Sequence, residues 1–317
     1  MHSVVSSLAA IAAIALPLCT AQTSTACNPM DKTCLNSVGL NQAEYTIDLT
    51  KGVPDNWTMT SGELKTSSLG GLFQINTIND GPTLQSNFHI FFGYVEMKMQ
   101  AAPGAGIVST FVMESQDLDE IDLEIIGSQT TQVQSNYFGK GNTTTYDRGQ
   151  FHPVTTPQTT VHTYAVDWQQ DKTVWYIDGQ AVRTLNFADA VGGKNYPQTP
   201  LNLRIGNWVA GQPKNDPGTV EWAGGMANMA DAPFNMYVSQ ITIKNYNPCA
   251  SYEYSDKTGS YQSIKCTSDS AASGSSSSSA SAPSASSSAG ASSGGSIASK
   301  SSSSLSSTGR SVSSTPA

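Results

Sequence analysis

The sequence predicts an all-β protein, a sandwich of two curved antiparallel sheets with a concave substrate cleft. Three observations carry this. Segments rich in Val, Ile, Thr and aromatics recur along the chain, separated by Gly, Pro, Asn and Asp, the pattern of strands divided by turns. Asp178-Gly179 stands between Val174-Trp175-Tyr176-Ile177 and Val182-Arg183-Thr184-Leu185, a two-residue hairpin signal. No long segment carries a helical period.

Taken in chain order, Leu8 to Leu18 form a short apolar run, and Cys19-Thr20-Ala21 follow with small residues at the −3 and −1 positions of a cleavage site. A secretory signal over 1–21 is expected. The run is too short to span a bilayer, and no other segment is long and apolar enough. Export leaves Cys27, Cys34, Cys249 and Cys266, an even count that points to two disulfides. Three pairings are possible. The local ones, Cys27–Cys34 and Cys249–Cys266, are favoured because each brackets one end of the folded region. There is no C-x-x-C and the four His are scattered, which counts against zinc. Asn56-Trp57-Thr58 and Asn142-Thr143-Thr144 are N-glycosylation acceptors.

The domain is expected over 22–266. Its best strand candidates are Phe88–Met99, Ile107–Met113, Glu120–Ile126, Gln132–Phe138, Val161–Trp168, Thr173–Ile177, Leu201–Trp208 and Met236–Tyr246. From 267 to 317 the composition changes: 26 of 51 residues are Ser and none is aromatic, too little apolar surface to offset chain entropy. A disordered, O-glycosylated stalk is expected there. It ends in Ser-Val-Ser-Ser-Thr-Pro-Ala, so no GPI-anchor signal is read in the sequence as given.

Charged residues make up 13% of the chain, the net charge is −8 and no Lys/Arg run occurs. Nucleic acid and anionic membranes are therefore poor partners, whereas a neutral polysaccharide is indifferent to such a charge. The informative segment is Asp119-Glu120-Ile121-Asp122-Leu123-Glu124-Ile125-Ile126. Strand alternation puts Glu120, Asp122 and Glu124 on one face and Ile121, Leu123 and Ile125 on the other. Three adjacent carboxylates repel one another, an arrangement poor for stability and so suited to a function. A calcium loop starting at Asp117 fails, because its fifth and sixth positions are Ile121 and Asp122. Retaining glycoside cleavage needs two carboxyls roughly 5–5.5 Å apart across the scissile bond. Positions i and i+4 lie roughly 13 Å apart at Cα, so the two Glu side chains must lean together. Asp122 between them can hydrogen-bond one carboxyl and keep another protonated.

At this point the chain resembles glycoside hydrolase family 16, whose Glu-x-Asp-x-Glu signature matches Glu120, Asp122 and Glu124. The likeness continues through Ile126-Gly127, Thr131-Gln132-Val133-Gln134 and Asn136-Tyr137-Phe138, as in lichenases. It extends through His162-Thr163-Tyr164 to Trp168 and through Trp175-Tyr176-Ile177-Asp178-Gly179, strands shared with lichenases and plant xyloglucan transglycosylases. It covers roughly 70–250. Arg204-Ile205-Gly206-Asn207-Trp208, Gly218-Thr219-Val220-Glu221-Trp222-Ala223-Gly224-Gly225 and the Ser-rich tail resemble the fungal Crh group of chitin–glucan crosslinking transglycosylases. Many of these have a GPI-anchor signal, and some a cysteine-rich chitin-binding module for which Cys27 and Cys34 are too few. The resemblance implies a jelly-roll sandwich with a long cleft, Glu120 as nucleophile, Asp122 as its helper and Glu124 as general acid/base. Laminarinase-type relatives have one more residue before the second Glu, which bulges the strand; its absence favours the lichenase–transglycosylase branch.

Sugars stack on aromatic rings. Trp208 and Trp222, in Gly/Pro-rich stretches, are expected to line the sugar subsites, with Asn136, Tyr137 and Arg204 as further candidates. Trp168 and Trp175 are assigned to the core, His152 and His162 to structural roles, and Glu114, Asp117 and Asp119 to a solvated loop and strand start. No metal or organic cofactor is expected, since two carboxyls suffice. The resulting expectation is a secreted, cell-wall, monomeric retaining transglycosylase that cleaves chitin and transfers it to β-1,3- or β-1,6-glucan. An endo-β-glucanase hydrolase and a non-catalytic sugar-binding sandwich are the alternatives.

Overall fold

The structure is a computed structural model that describes residues 24–267. The expected signal segment 1–21 and the tail beyond Thr267 lie outside the described residues. In chain order the first strands are β1 (Ser37–Val38), β2 (Glu44–Asp48), β3 (Trp57–Ser61), β4 (Lys65–Ser67), β5 (Gly70–Ile75), β6 (Thr83–Ser86), β7 (Gly93–Gln100), β8 (Ile107–Ser115) and β9 (Glu120–Ile126). There follow β10 (Gln132–Phe138), β11 (Gln150–Pro153), β12 (His162–Trp168), β13 (Lys172–Ile177), β14 (Gln180–Asn186), β15 (Leu201–Val209), helix α1 (Pro217–Trp222), β16 (Phe234–Asn245), β17 (Ser251–Tyr254) and β18 (Ile264–Thr267). Among the described residues α1 is the single α-helix, and none is long and apolar enough to cross a membrane.

The strands form two large antiparallel sheets. One runs β11-β10-β9-β8-β15-β6-β3; the other runs β14-β13-β12-β7-β16-β5-β4, with β2 paired to β16. A three-stranded sheet, β1-β17-β18, completes the fold. All eight expected strands are present, Glu120–Ile126 and Gln132–Phe138 with the expected ends and the other six with shifted ones. Phe88 to Phe92 precede β7 instead of extending it, and Phe92 takes φ 56°, which breaks an extended strand. The Asp178-Gly179 hairpin forms as expected between β13 and β14, with φ of 50° and 77°. Positive φ at both central residues is what a turn matched to strand twist demands. The short strands before residue 87 were not expected, because most are brief and polar.

Alternation builds the core. Ile121, Leu123 and Ile125 of β9, Phe111 and Met113 of β8 and Leu203 and Ile205 of β15 point inward, each 0–1% exposed. They join Val95, Met97, Val166, Trp168, Trp175 and Ile243 of the other sheet in one apolar cluster. Trp168 and Trp175 are core residues, as expected. Asn207 fastens the two sheets, its Nδ2 donating to Phe73 O at 3.1 Å. The disulfides are Cys27–Cys34 and Cys249–Cys266, the local pairing. Asn56 is exposed just before β3. Asn142 is half-buried, and its Nδ2 donates to Asn195 Oδ1 at 3.1 Å.

Candidate active site

The face of the first large sheet that turns away from the core holds Glu120, Asp122 and Glu124, as alternation requires. Antiparallel register lines up their neighbours in rows. Glu120 stands opposite Glu114 of β8 and Phe138 of β10. Asp122 stands opposite Val112 and Asn136, with Arg204 of β15 beyond Val112. Glu124 stands opposite Thr110 and Gln134, with Gly206 beyond. Ile126 stands opposite Val108, with Trp208 beyond.

Although this face does not pack on the second sheet, Glu120, Asp122 and Glu124 are only 2%, 1% and 4% exposed. Neighbouring side chains therefore rise around them. Trp208 and Trp222 do so on one side. Their rings stack at 6.4 Å with an interplanar angle of 29°. Trp222 Nε1 donates to Gln134 Oε1 at 3.0 Å, which ties the end of α1 to the residue beside Glu124. Trp208 lies within β15. Phe138 and the exposed Phe151 and Tyr146 lie towards β11, where the Arg148 guanidinium sits 4.8 Å over the Phe138 ring.

Carboxyls crowded out of water resist ionisation. Burial, then the charge of Asp122 and a hydrogen bond with it, push Glu120 well above the usual carboxylate range; Glu114 and Glu124 add to this. Burial pushes Asp122 up to about 7, opposed by its hydrogen bond with Glu120 and by the Arg183 charge. No amide, hydroxyl or cationic donor among the described residues reaches either oxygen of Asp122. A protonated Glu120 would then be the donor to Asp122. Two such carboxyls titrate as a unit, and burial pushes both towards the protonated form.

Glu114 is a fourth acid on this face, 3% exposed and ion-paired with Arg204. Burial raises it to about 7 against the pull of Arg204. Its expected place in a solvated loop is corrected: every residue of β8 is buried. Asp117 and Asp119 are likewise 0% exposed, because the loop after β10 brings in Lys140. Lys140 Nζ lies 3.2 Å from Asp117 Oδ2 and 2.5 Å from Asp119 Oδ2. Thr199 Oγ1 donates to both carboxylates and Gln198 N to Asp119. This network anchors the residue immediately before Glu120.

Of the expected sugar contacts, Asn136, Arg204, Trp208 and Trp222 share the carboxylate face. Tyr137 does not, and that expectation is corrected. It pairs with Ile121, is 6% exposed and packs in the core, because neighbours in a strand face opposite ways. Gln134 and Phe138, two residues either side of Asn136, are the ones that alternation delivers to the site. His162 is structural as expected, bonding Asp178 Oδ2 at 2.7 Å and Thr155 O at 2.8 Å.

Comparison with known proteins gives a consistent result. The profile of "Glycosyl hydrolases family 16" matches residues 42–224. The chain is 52% identical over 258 residues to "Crh-like protein 5" of Aspergillus fumigatus, covering 81% of this chain and 65% of that protein; it thus spans a little under two thirds of that relative's length. The solved structure "Crh5 transglycosylase in complex with NAG" superposes with a TM-score of 0.75 at 51% identity, over 76% of this chain and all of that one. The Bacillus licheniformis β-glucanase superposes with a TM-score of 0.54 at 24% identity, over 64% of this chain and 98% of that one, which shows the shared fold alone.

Proposed function

Because the chain belongs to the glycosyl hydrolases of family 16, we propose that it is a retaining transglycosylase that cleaves chitin and joins the fragment to a β-glucan in a fungal cell wall. The observation that carries this is the Glu120–Asp122–Glu124 row: buried and adjacent on one sheet face, with Glu120 and Asp122 both held back from ionising. The likeness to the solved Crh5 transglycosylase in complex with NAG supports transfer and an N-acetylglucosamine sugar.

In the proposed reaction Glu120 attacks the anomeric carbon of the −1 sugar as Glu124 protonates the departing glycosidic oxygen. The C–O bond breaks, the leaving chain departs with its new hydroxyl, and an ester joins the sugar to Glu120. Glu124, now a carboxylate, removes the proton from an acceptor hydroxyl. That oxygen attacks the same carbon, the ester breaks and Glu120 is regenerated. Two inversions give net retention. Glu120 must enter this cycle as the anion, and Asp122 can take up its proton as positive charge develops on the sugar. Water competes with the acceptor by concentration, and a bound sugar wins through effective molarity. The Trp208–Trp222 stack is the surface we assign to sugar binding, with Arg204 and Asn136 as polar contacts. Residues 22–266 form the proposed catalytic domain of a secreted wall protein.

The test is mass spectrometry of products from chitin oligosaccharides mixed with a labelled β-1,3-glucan oligosaccharide. Hybrid products from the wild type, absent with Glu120→Gln, are expected. Shortened oligosaccharides without hybrids would replace transfer by hydrolysis, and two unchanged sugars would sink the enzymatic reading for these substrates. A second expectation concerns Trp222→Ala, which removes the ring and its bond to Gln134. KM should rise roughly tenfold, the equivalent of about 1.4 kcal/mol of lost sugar binding, with a smaller change in kcat. An unchanged KM would remove Trp222 from the subsites.

A further inference from the structure

We infer that Arg183 is a positioning residue for this reaction, a buried cation behind β9 that holds the Glu120–Asp122 pair as a single anion when the medium turns acidic. The inference rests on the reading that this pair is reactive. Arg183 is on β14, at the edge of the second large sheet, and is 9% exposed. Its guanidinium donates through Nη1 to Ser135 O at 3.0 Å and Ser135 Oγ at 2.9 Å, and through Nη2 to Arg148 O at 2.8 Å. It lies 4.8 Å from the Trp175 ring centroid and 5.3 Å from that of Tyr137. These partners are all neutral groups, and no carboxylate is within ion-pair distance of it among the described residues. A buried cation without a contacting anion is costly to keep.

Its surroundings lead to the reactive strand. Trp175, under the guanidinium, donates from Nε1 to Asp122 O at 3.2 Å. Ser135, which accepts two of its hydrogen bonds, pairs with Leu123 and precedes Asn136, the partner of Asp122. Arg183 and Asp122 act on each other: the cation opposes the upward push of burial on Asp122, and Asp122 opposes the downward push of burial that brings Arg183 to about 10. The other titratable groups facing the guanidinium are Tyr137 on β10 and His152 on β11. His152 Nε2 shares a hydrogen bond with Ser135 Oγ, and burial and then the Arg183 charge lower its affinity for a proton. The Arg148 cation lies over the far rings of Tyr137 and Phe138. Facing the pair itself are Glu114 and Glu124.

The consequence is chemical. Burial and mutual repulsion drive Glu120 and Asp122 towards two protons, and a doubly protonated pair offers no nucleophile. A nearby cation favours the singly protonated state. Removing it lets the second proton bind at higher pH.

The experiment measures kcat/KM for transfer against pH for the wild type, Arg183→Met, Arg183→Lys and Glu120→Gln, with thermal denaturation of each. Arg183→Met is expected to move the acid limb up by about one pH unit relative to its own plateau, so that activity on that limb falls roughly tenfold further. Arg183→Lys keeps the cation and is expected to leave the limb in place, even where its lost hydrogen bonds lower the melting temperature. An unmoved limb in a folded Arg183→Met protein would reduce Arg183 to a structural strut. If that variant does not fold, a limb displaced in Arg183→Lys overturns the inference. Full activity in Glu120→Gln would instead overturn the reading of the pair, which separates the two failures.

Discussion

Glu120→Gln should lower turnover by at least about 10⁴-fold, equivalent to roughly 5 kcal/mol of transition-state stabilisation. The amide keeps the shape of the side chain but cannot form the glycosyl ester, so both halves of the cycle stop. A stability signature should accompany the loss. Folding raises Glu120 well above 4.5 through burial and the carboxyls around it. The folded state therefore takes up this proton more readily than the unfolded one, and ionisation at neutral pH opposes folding. Gln removes that penalty. The variant should melt at or above the wild-type temperature at pH 7, and the difference should shrink as the pH falls towards 4, where the wild-type carboxyl is protonated in both states. A variant that is both inactive and markedly less stable at pH 7 would mean that Glu120 serves the fold.

Lys140→Met is expected to destabilise the domain by about 3–5 kcal/mol, the usual consequence of removing one partner from a buried ionic cluster. The Met side chain fills the space but leaves Asp117 and Asp119, both 0% exposed, without the ammonium that binds them. Thr199 and Gln198 still donate to them, which compensates only in part. Burial raises Asp119 to about 6 although Lys140 pulls it down. Without Lys140 it rises further, so the variant gains more than the wild type from protonating this carboxyl. The stability deficit, measured by denaturant unfolding, should narrow as pH falls from about 7 to about 5. A deficit below 1 kcal/mol, or one independent of pH, would show that the cluster does not hold the start of β9.

The period-2 pattern accounts for what was legible at the site. It placed Glu120, Asp122 and Glu124 together and sent Ile121, Leu123 and Ile125 to the core, because a strand has no other way to arrange them. The same rule applied to β10 assigns Gln134, Asn136 and Phe138 to the site and Tyr137 to the core. Tyr137 falls in the core because neighbours in a strand face opposite ways, and Asn136 and Phe138 take the other face. Trp208 and Trp222 were legible as aromatics in turn-rich stretches, but their stacking and the Gln134 tether depend on where α1 lands.

Glu114, Asp117 and Asp119 read as solvated because charge in a chain predicts exposure unless a partner is at hand. Their partners, Arg204, Lys140 and Thr199, come from distant segments. Arg183 carried no local signal beyond its place in a hairpin strand. The all-β class, the hairpin turn and the carboxylate row were determined by the sequence itself, since each follows from backbone alternation or turn sterics over neighbouring residues, whereas the cysteine pairing was one of three the sequence allowed. The burial of the acids, the Lys140 clamp, the coupling between Glu120 and Asp122 and the cation behind them were decided by tertiary structure alone. Desolvation and charge–charge coupling depend on distance in space, and the residues that set them meet only when the two sheets and their loops close together.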